Sequence, residues 1–294
     1  ESLVTVLASY AVSDLLNIYM TLREPVESGE GDISEEDLEI IESLKNIENL
    51  KSIGLEQMSL GKWCAVLRET TKVLKDHQDI SFIPELYKNF QPPSNKLWDD
   101  INSLVKQRND DAHGVPISDS ELKKVLTSRQ EILDRILEKC SFLENYTISI
   151  FEKLVLKSNS QQVSGKSFVN DGQESIIVPA DLEPPLGEIL LVNHNKKFAF
   201  IKLRPLIVYA PVNGQDSRQL SLYSKQLDKE GNQIHYLGAD GAVDVDVKLF
   251  DKKYNQSLGQ RWKHIHEIYS EEDVQIPNLN GNINVPSSIE VNEE

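Results

Sequence analysis

Hydrophobic positions recur at three- and four-residue steps through the first half of the chain and at two-residue steps through much of the second. Leu3, Val6, Leu7, Tyr10, Leu15 and Ile18 predict an amphipathic helix. Ser34, with Asp37 three residues on, resembles a capping box opening a shorter helix through Leu38, Ile41, Leu44 and Ile47. Leu60, Trp63, Cys64, Leu67, Thr71 and Leu74 predict a third helix. Residues 82–90 predict a short fourth, stopped by Pro92 and Pro93. Ser94 is placed to cap a fifth helix whose stripe runs Leu97, Ile101, Leu104 and Val105. Ser118 and Glu121 form a second capping box before a long helix through Leu122, Leu126, Ile132, Leu133, Ile136 and Leu137.

From Tyr146 the period changes to two, most plainly over residues 147–154. Strands are predicted over residues 174–178, 187–192, 198–203 and 206–209, with turn residues between or beside them. Segments 220–223 and 234–237 flank a hairpin turn at 228–232. The fold class is therefore α+β: a helical bundle over residues 1–145, then a small antiparallel β domain over 146–277. Residues 278–294, rich in Asn, Gly, Ser and Glu, read as a weakly ordered polar tail.

Composition narrows the setting. The 294 residues suffice for two ordinary domains, each with its own core. A formal charge of −16 argues against broad binding to nucleic-acid backbone, which needs a basic surface to displace counterions. Cys64 and Cys140 lie in helical patterns and read as small buried hydrophobes, which favours a reducing, cytoplasmic location. No apolar run approaches the roughly 20 residues that span a bilayer, and no secretory leader precedes the first helix, so no membrane partner is expected. The chain starts at Glu1 without a Met and is amphipathic at once, so further domains or a protein partner are expected N-terminal to Glu1.

Chemistry concentrates in one place. Arg108, Asn109, Asp110, Asp111, Ala112 and His113 end the fifth helix, with Gly114 and Pro116 to stop it. Arg108 lies within about 20° of Ile101 on an ideal helix, so its guanidinium must find a carboxylate or a water-filled cleft. In the plain structural reading Arg108 locks the bundle through a carboxylate and His113 is a favourable cation at the helix end.

This Arg, four residues, His pattern resembles the signature of the HEPN superfamily, helical-bundle domains common in prokaryotic toxins and anti-phage systems. An Asn follows the Arg, as is frequent in that family, and the motif sits between two long helices. The resemblance covers residues 1–145; the β half resembles accessory domains that follow such bundles. It implies metal-independent RNA cleavage without a cofactor. His113 would move protons, Arg108 would contact the scissile phosphate and Asn109 would orient His113 or a phosphate oxygen, in a cleft shared by a homodimer. Many members are instead non-catalytic dimerisation or sensing modules of larger proteins, and that alternative stands beside the nuclease. Arg108 and His113 are roughly 140° apart on an ideal helix, and two neighbouring carboxylates oppose an RNA substrate.

Other candidates are weaker. His264 and His266, with Glu267, would share a face in an extended segment but diverge on a helix, so no metal is predicted. The same stretch also reads as a basic surface patch. Ser164, Gly165, Lys166 and Ser167 end like a phosphate-binding loop, but Ser160 stands where the loop needs a Gly, and no helix pattern follows. Trp63 and Trp98 read as core.

Overall fold

In the computed structural model the described residues are 2–28, 34–45, 48–51, 55, 57–91, 96–112, 118–157, 160–168, 172–179, 185–193, 195, 200–215, 217–228, 232–254 and 258–269. The first helix, α1 (Ser2–Ser28), buries Leu7, Ala8, Ala11, Leu15 and Tyr19. It packs on α4 (Leu60–Asp76), which Ser59 caps by accepting from the Lys62 N–H. Between them lie α2 (Glu35–Lys45), opened by the expected Ser34 cap, and the short α3 (Glu48–Lys51). The Ser2–Arg23 stretch of α1 is apolar and long enough to cross a membrane, which residue-by-residue reading had missed; in this fold most of it is packed inside the protein.

Asp14 shows why α1 is central. It is fully buried, and its carboxylate accepts from Ser81 Oγ at 2.8 Å and from the Phe82 and Ile83 backbone N–H groups at 2.8 and 2.9 Å. Those two amides lead into α5 (Pro84–Phe90), so one charge satisfies donors that the helix start leaves orphaned. Then follow α6 (Lys96–Ala112) and α7 (Asp119–Lys139), an antiparallel pair. The Ser118–Glu121 capping box forms as expected; Ser94 lies outside the described residues.

After a 3₁₀ turn, Ser141–Asn145, strands begin at Tyr146. β1 (Tyr146–Lys157), β2 (Ser160–Ser167), β3 (Gln173–Pro179), β4 (Ile189–Asn193) and β5 (Phe200–Lys202) form one antiparallel sheet in the order β3-β2-β1-β4-β5. β6 (Ile207–Pro211), β7 (Arg218–Gln226), β8 (Gln233–Gly238) and β9 (Gly241–Asp246) form a second antiparallel sheet in chain order. The α+β class is thus correct. Unforeseen are two closing helices, α8 (Val247–Tyr254) and α9 (Leu258–Tyr269). Residues 278–294, read as a tail, lie outside the described residues.

Helix α9 runs through the middle of the protein rather than over its surface. Trp262, Ile265, Ile268 and Tyr269 are buried in one hydrophobic cluster that also contains α1, α4 and both sheets. Asp251 on α8 caps α9, accepting from the Leu258 and Gly259 N–H groups at 2.7 and 2.9 Å. Arg261 is 3% exposed, and its guanidinium donates to Arg204 O at 2.6 Å and Lys202 O at 3.1 Å. Arg204, also buried, pairs with Glu188 at 3.1 Å, donates to Gly187 O at 2.9 Å and lies over the Phe250 ring. Near α1, Glu267 accepts from Tyr19 at 2.7 Å and meets Arg23 and His264.

Arg261→Met keeps the apolar stem but leaves two buried carbonyls without their donor, and should lower stability by about 3 kcal/mol. Denaturant unfolding measures this; a loss below about 1 kcal/mol would show that the carbonyls find other donors. Burial works to raise the Glu267 pKa, yet hydrogen bonds from His264 and Tyr19 and the Arg23 charge outweigh it, from 4.5 down to about 2. A depressed carboxylate stabilises fully above its unfolded pKa, so stability should fall as pH drops from about 4.5 toward 2, by at most about 3 kcal/mol. Unfolding curves of Glu267→Gln across that window should be flatter than the parent's; an equal slope would remove Glu267 as the cause.

Candidate functional site

The stripe on α6 sinks into the core only near its start. Leu97 and Ile101 are buried, Leu104 and Val105 are half-buried, and Arg108, next in line, is exposed. The α6–α7 hairpin leaves the core along its length, so Arg108 is exposed and meets no burial penalty. Its guanidinium lies 3.4 Å from Asn109 Oδ1, a long contact between chain neighbours, and Asn109 is exposed too. Asp110 is exposed beside them, and the last turn of α6 carries no basic residue. Acidic charge at a helix C-terminus adds to the negative end of the helix dipole. His113, expected to move protons, lies outside the described residues, as do Gly114 and Pro116.

Two polar ties hold the hairpin together. Arg129 on α7 donates to Gln107 Oε1 at 2.9 Å, and Arg135 grips Asp100 through two hydrogen bonds of 2.6 and 3.1 Å. Beside them Ile132 and Ile136 of α7 are buried. The rest of the apolar surface of α7 is open: Leu122 is 42% exposed, Leu126 54%, Leu133 41% and Leu137 52%. Sequence reading assigned these leucines to the same stripe as Ile132 and Ile136. The signal that separates them is the width of the stripe, since one facing helix cannot cover it all.

The other candidates resolve differently. Ser164, Gly165, Lys166 and Ser167 belong to β2, where Gly165 faces Phe151 across the ladder. A Cβ at Gly165 would lie 1.9 Å from Ile150 O, so the glycine serves close strand approach and not a phosphate. His264 and His266 sit on α9 and diverge: His264 is buried against Glu267, whereas His266 meets the Gln226 side chain at 2.7 Å. The basic-patch reading of this stretch fails at Arg261 and His264, which are both buried. Among the described residues no group of three or more His, Cys, Asp or Glu side chains is placed to hold a metal. Cys64 and Cys140 are both free thiols; burial raises the pKa of each, that of Cys140 to about 11. Trp63 is buried, while Trp98 is half-buried and donates to Phe90 O at 2.7 Å.

A surface groove of about 690 Å³ lies in the β half, between the β6–β7 turn at Asn213 and Gly214 and the side of β9 and α8. Its lining includes Asp244 and Asp246 together with Val212 and Phe250. It offers no nucleophile paired with a base. The exposed α6–α7 hairpin, with Arg108 and Asn109 near its turn and four leucines along its side, is the candidate functional element. No family model, curated protein or solved structure matches the chain.

Proposed function

We propose that this chain is a non-catalytic association module whose α6–α7 hairpin, part of a HEPN-like helical bundle, meets the partner. The open leucine row on α7 carries this reading. Four large apolar side chains in line on one surface helix form the kind of patch that marks a protein contact. The setting is a larger prokaryotic protein or defence assembly in the cytoplasm, consistent with two free thiols.

RNA cleavage by Arg108, Asn109 and His113, without metal or cofactor, is the second reading. The exposure of Arg108 and Asn109 favours it, because a phosphate could reach both side chains. Against it stand the exposed Asp110 and the overall charge of −16, which both repel a polyanion. Oxyanion chemistry also needs donors fixed on the place where charge develops, and Arg108 sits on an open helix surface.

The decisive measurement incubates the chain with labelled single-stranded RNA in EDTA, beside folded Arg108→Ala and His113→Ala variants. We expect no cleavage above buffer by any of the three. Cleavage by the parent that both substitutions abolish would establish the nuclease and overturn the module reading.

A further inference from the structure

Leu122, Leu126, Leu133 and Leu137 fall within an arc of about 60° on an ideal helix. The arc beside it, holding Ile132 and Ile136, is the one α6 covers. Leu122 and Leu137 are equidistant from a midpoint between Arg129 and Gln130, and so are Leu126 and Leu133. A row with that spacing is complementary to itself when turned end for end. Leu122 then meets the second copy's Leu137, and Leu126 meets its Leu133.

Charge along the open flank of the row has the matching order. Lys123, Asp134 and Glu138 lie within about 60° of one another on the side away from α6. The basic residue is near the start of α7 and the acidic pair near its end. Two antiparallel copies place each Lys123 beside the other's Asp134 and Glu138, on the same flank and twice over. Two parallel copies put these flanks on opposite sides of the row, so Lys123 meets neither Asp134 nor Glu138 of the second copy. A single two-fold axis near Arg129 and Gln130 satisfies both the apolar row and the charges.

We infer that two copies of this chain associate through α7, packed antiparallel across the Leu122–Leu137 row. This rests on the association reading above and names its partner as a second copy. The two Ser118 residues stand about 35 Å apart along the helix axis. The two Arg108 side chains therefore do not line one cleft, unlike the shared cleft that the HEPN resemblance implies.

Sedimentation equilibrium of the full chain tests the pairing. We expect a dimer, and a dissociation constant raised about a hundredfold or more in Leu126→Gln with Leu133→Gln, substitutions at exposed positions. Lys123→Glu should weaken the dimer about tenfold, and adding Glu138→Lys should restore it. Both charge changes favour the helix dipole of α7 itself, so an effect on helix stability alone would not produce weakening. Mixed Leu126→Cys and Leu133→Cys chains should form a disulfide under mild oxidation, with the parent and its own thiols as control. A monomer at high micromolar concentration, or a dimer indifferent to the leucine substitutions, overturns the pairing. Crosslinking of Leu126→Cys to itself in preference to Leu133→Cys overturns the antiparallel arrangement. RNA cleavage decides the module reading separately: a monomer that leaves RNA intact removes this interface and not the module.

Discussion

The constraint on which this fold depends is the burial of two guanidinium groups, Arg204 and Arg261, in the same interior. A buried guanidinium is tolerable only when its donors are used, because an isolated charge in a low dielectric costs far more than a fold can supply. Glu188 offsets one charge, and the Arg204, Lys202 and Gly187 carbonyls accept further hydrogen bonds from the two groups, leaving Arg204 Nε without an acceptor among the described residues. Burial pulls the pKa of both groups down, while Glu188 pulls them back up. Those carbonyls belong to the end of β5, the turn after it and the segment just before β4, so the charge satisfaction fixes where α9 can lie. With α9 in place, Tyr19, Arg23 and Thr70 find their partners on Glu267 and Tyr269. The last described helix thus completes a core that the first one opens.

A core closed in this way leaves the α6–α7 hairpin at its margin. Its attachment is made by Leu97 and Ile101, by Trp98 edge-on against Phe90, and by Ile132 and Ile136 between the two helices. Beyond that line, the same apolar periodicity continues into solvent. An apolar row exposed on a helix is a cost in the isolated chain, since burying a leucine is worth about 2 kcal/mol. Scattered surface leucines need no explanation, but four in line on one helix do. The leucine row and the Arg108 motif therefore share one physical origin, a hairpin longer than the core it rests on.

Much of this was legible in the sequence, for physical reasons that also mark the limits. The period of 3.6 located α1, α4, α6 and α7, and the Ser118–Glu121 cap set the start of α7 to the residue. The change of period placed the first strand at Tyr146. β2 was missed because Ser160, Gln161, Gln162, Ser164 and Ser167 carry little apolar signal; its pairing on both sides with β1 and β3 supplies what its side chains do not. α9 was missed because Arg261 and His264 interrupt an apolar face, and only their buried partners make them compatible with it. Arg108 was read as the end of a buried stripe. Periodicity tells which face of a helix is apolar, not how far the neighbouring core extends along it.

The net charge of −16 opposes self-association, since two such chains repel. The repulsion is long-ranged and falls away beyond a Debye length of about 8 Å at physiological ionic strength. Short-range order on the open flank of α7 survives that screening: Lys123 nearer its start, Asp134 and Glu138 nearer its end, and the leucines beside them act at contact distance. Net charge then sets how fast copies meet and which polyanions are turned away, while the order of charges on one helix sets which orientation holds. The same two facts bear oppositely on the Arg108 motif. RNA must approach through the long-range field before it can reach any contact, and at the end of α6 the side chain that follows Arg108 and Asn109 is a carboxylate, Asp110.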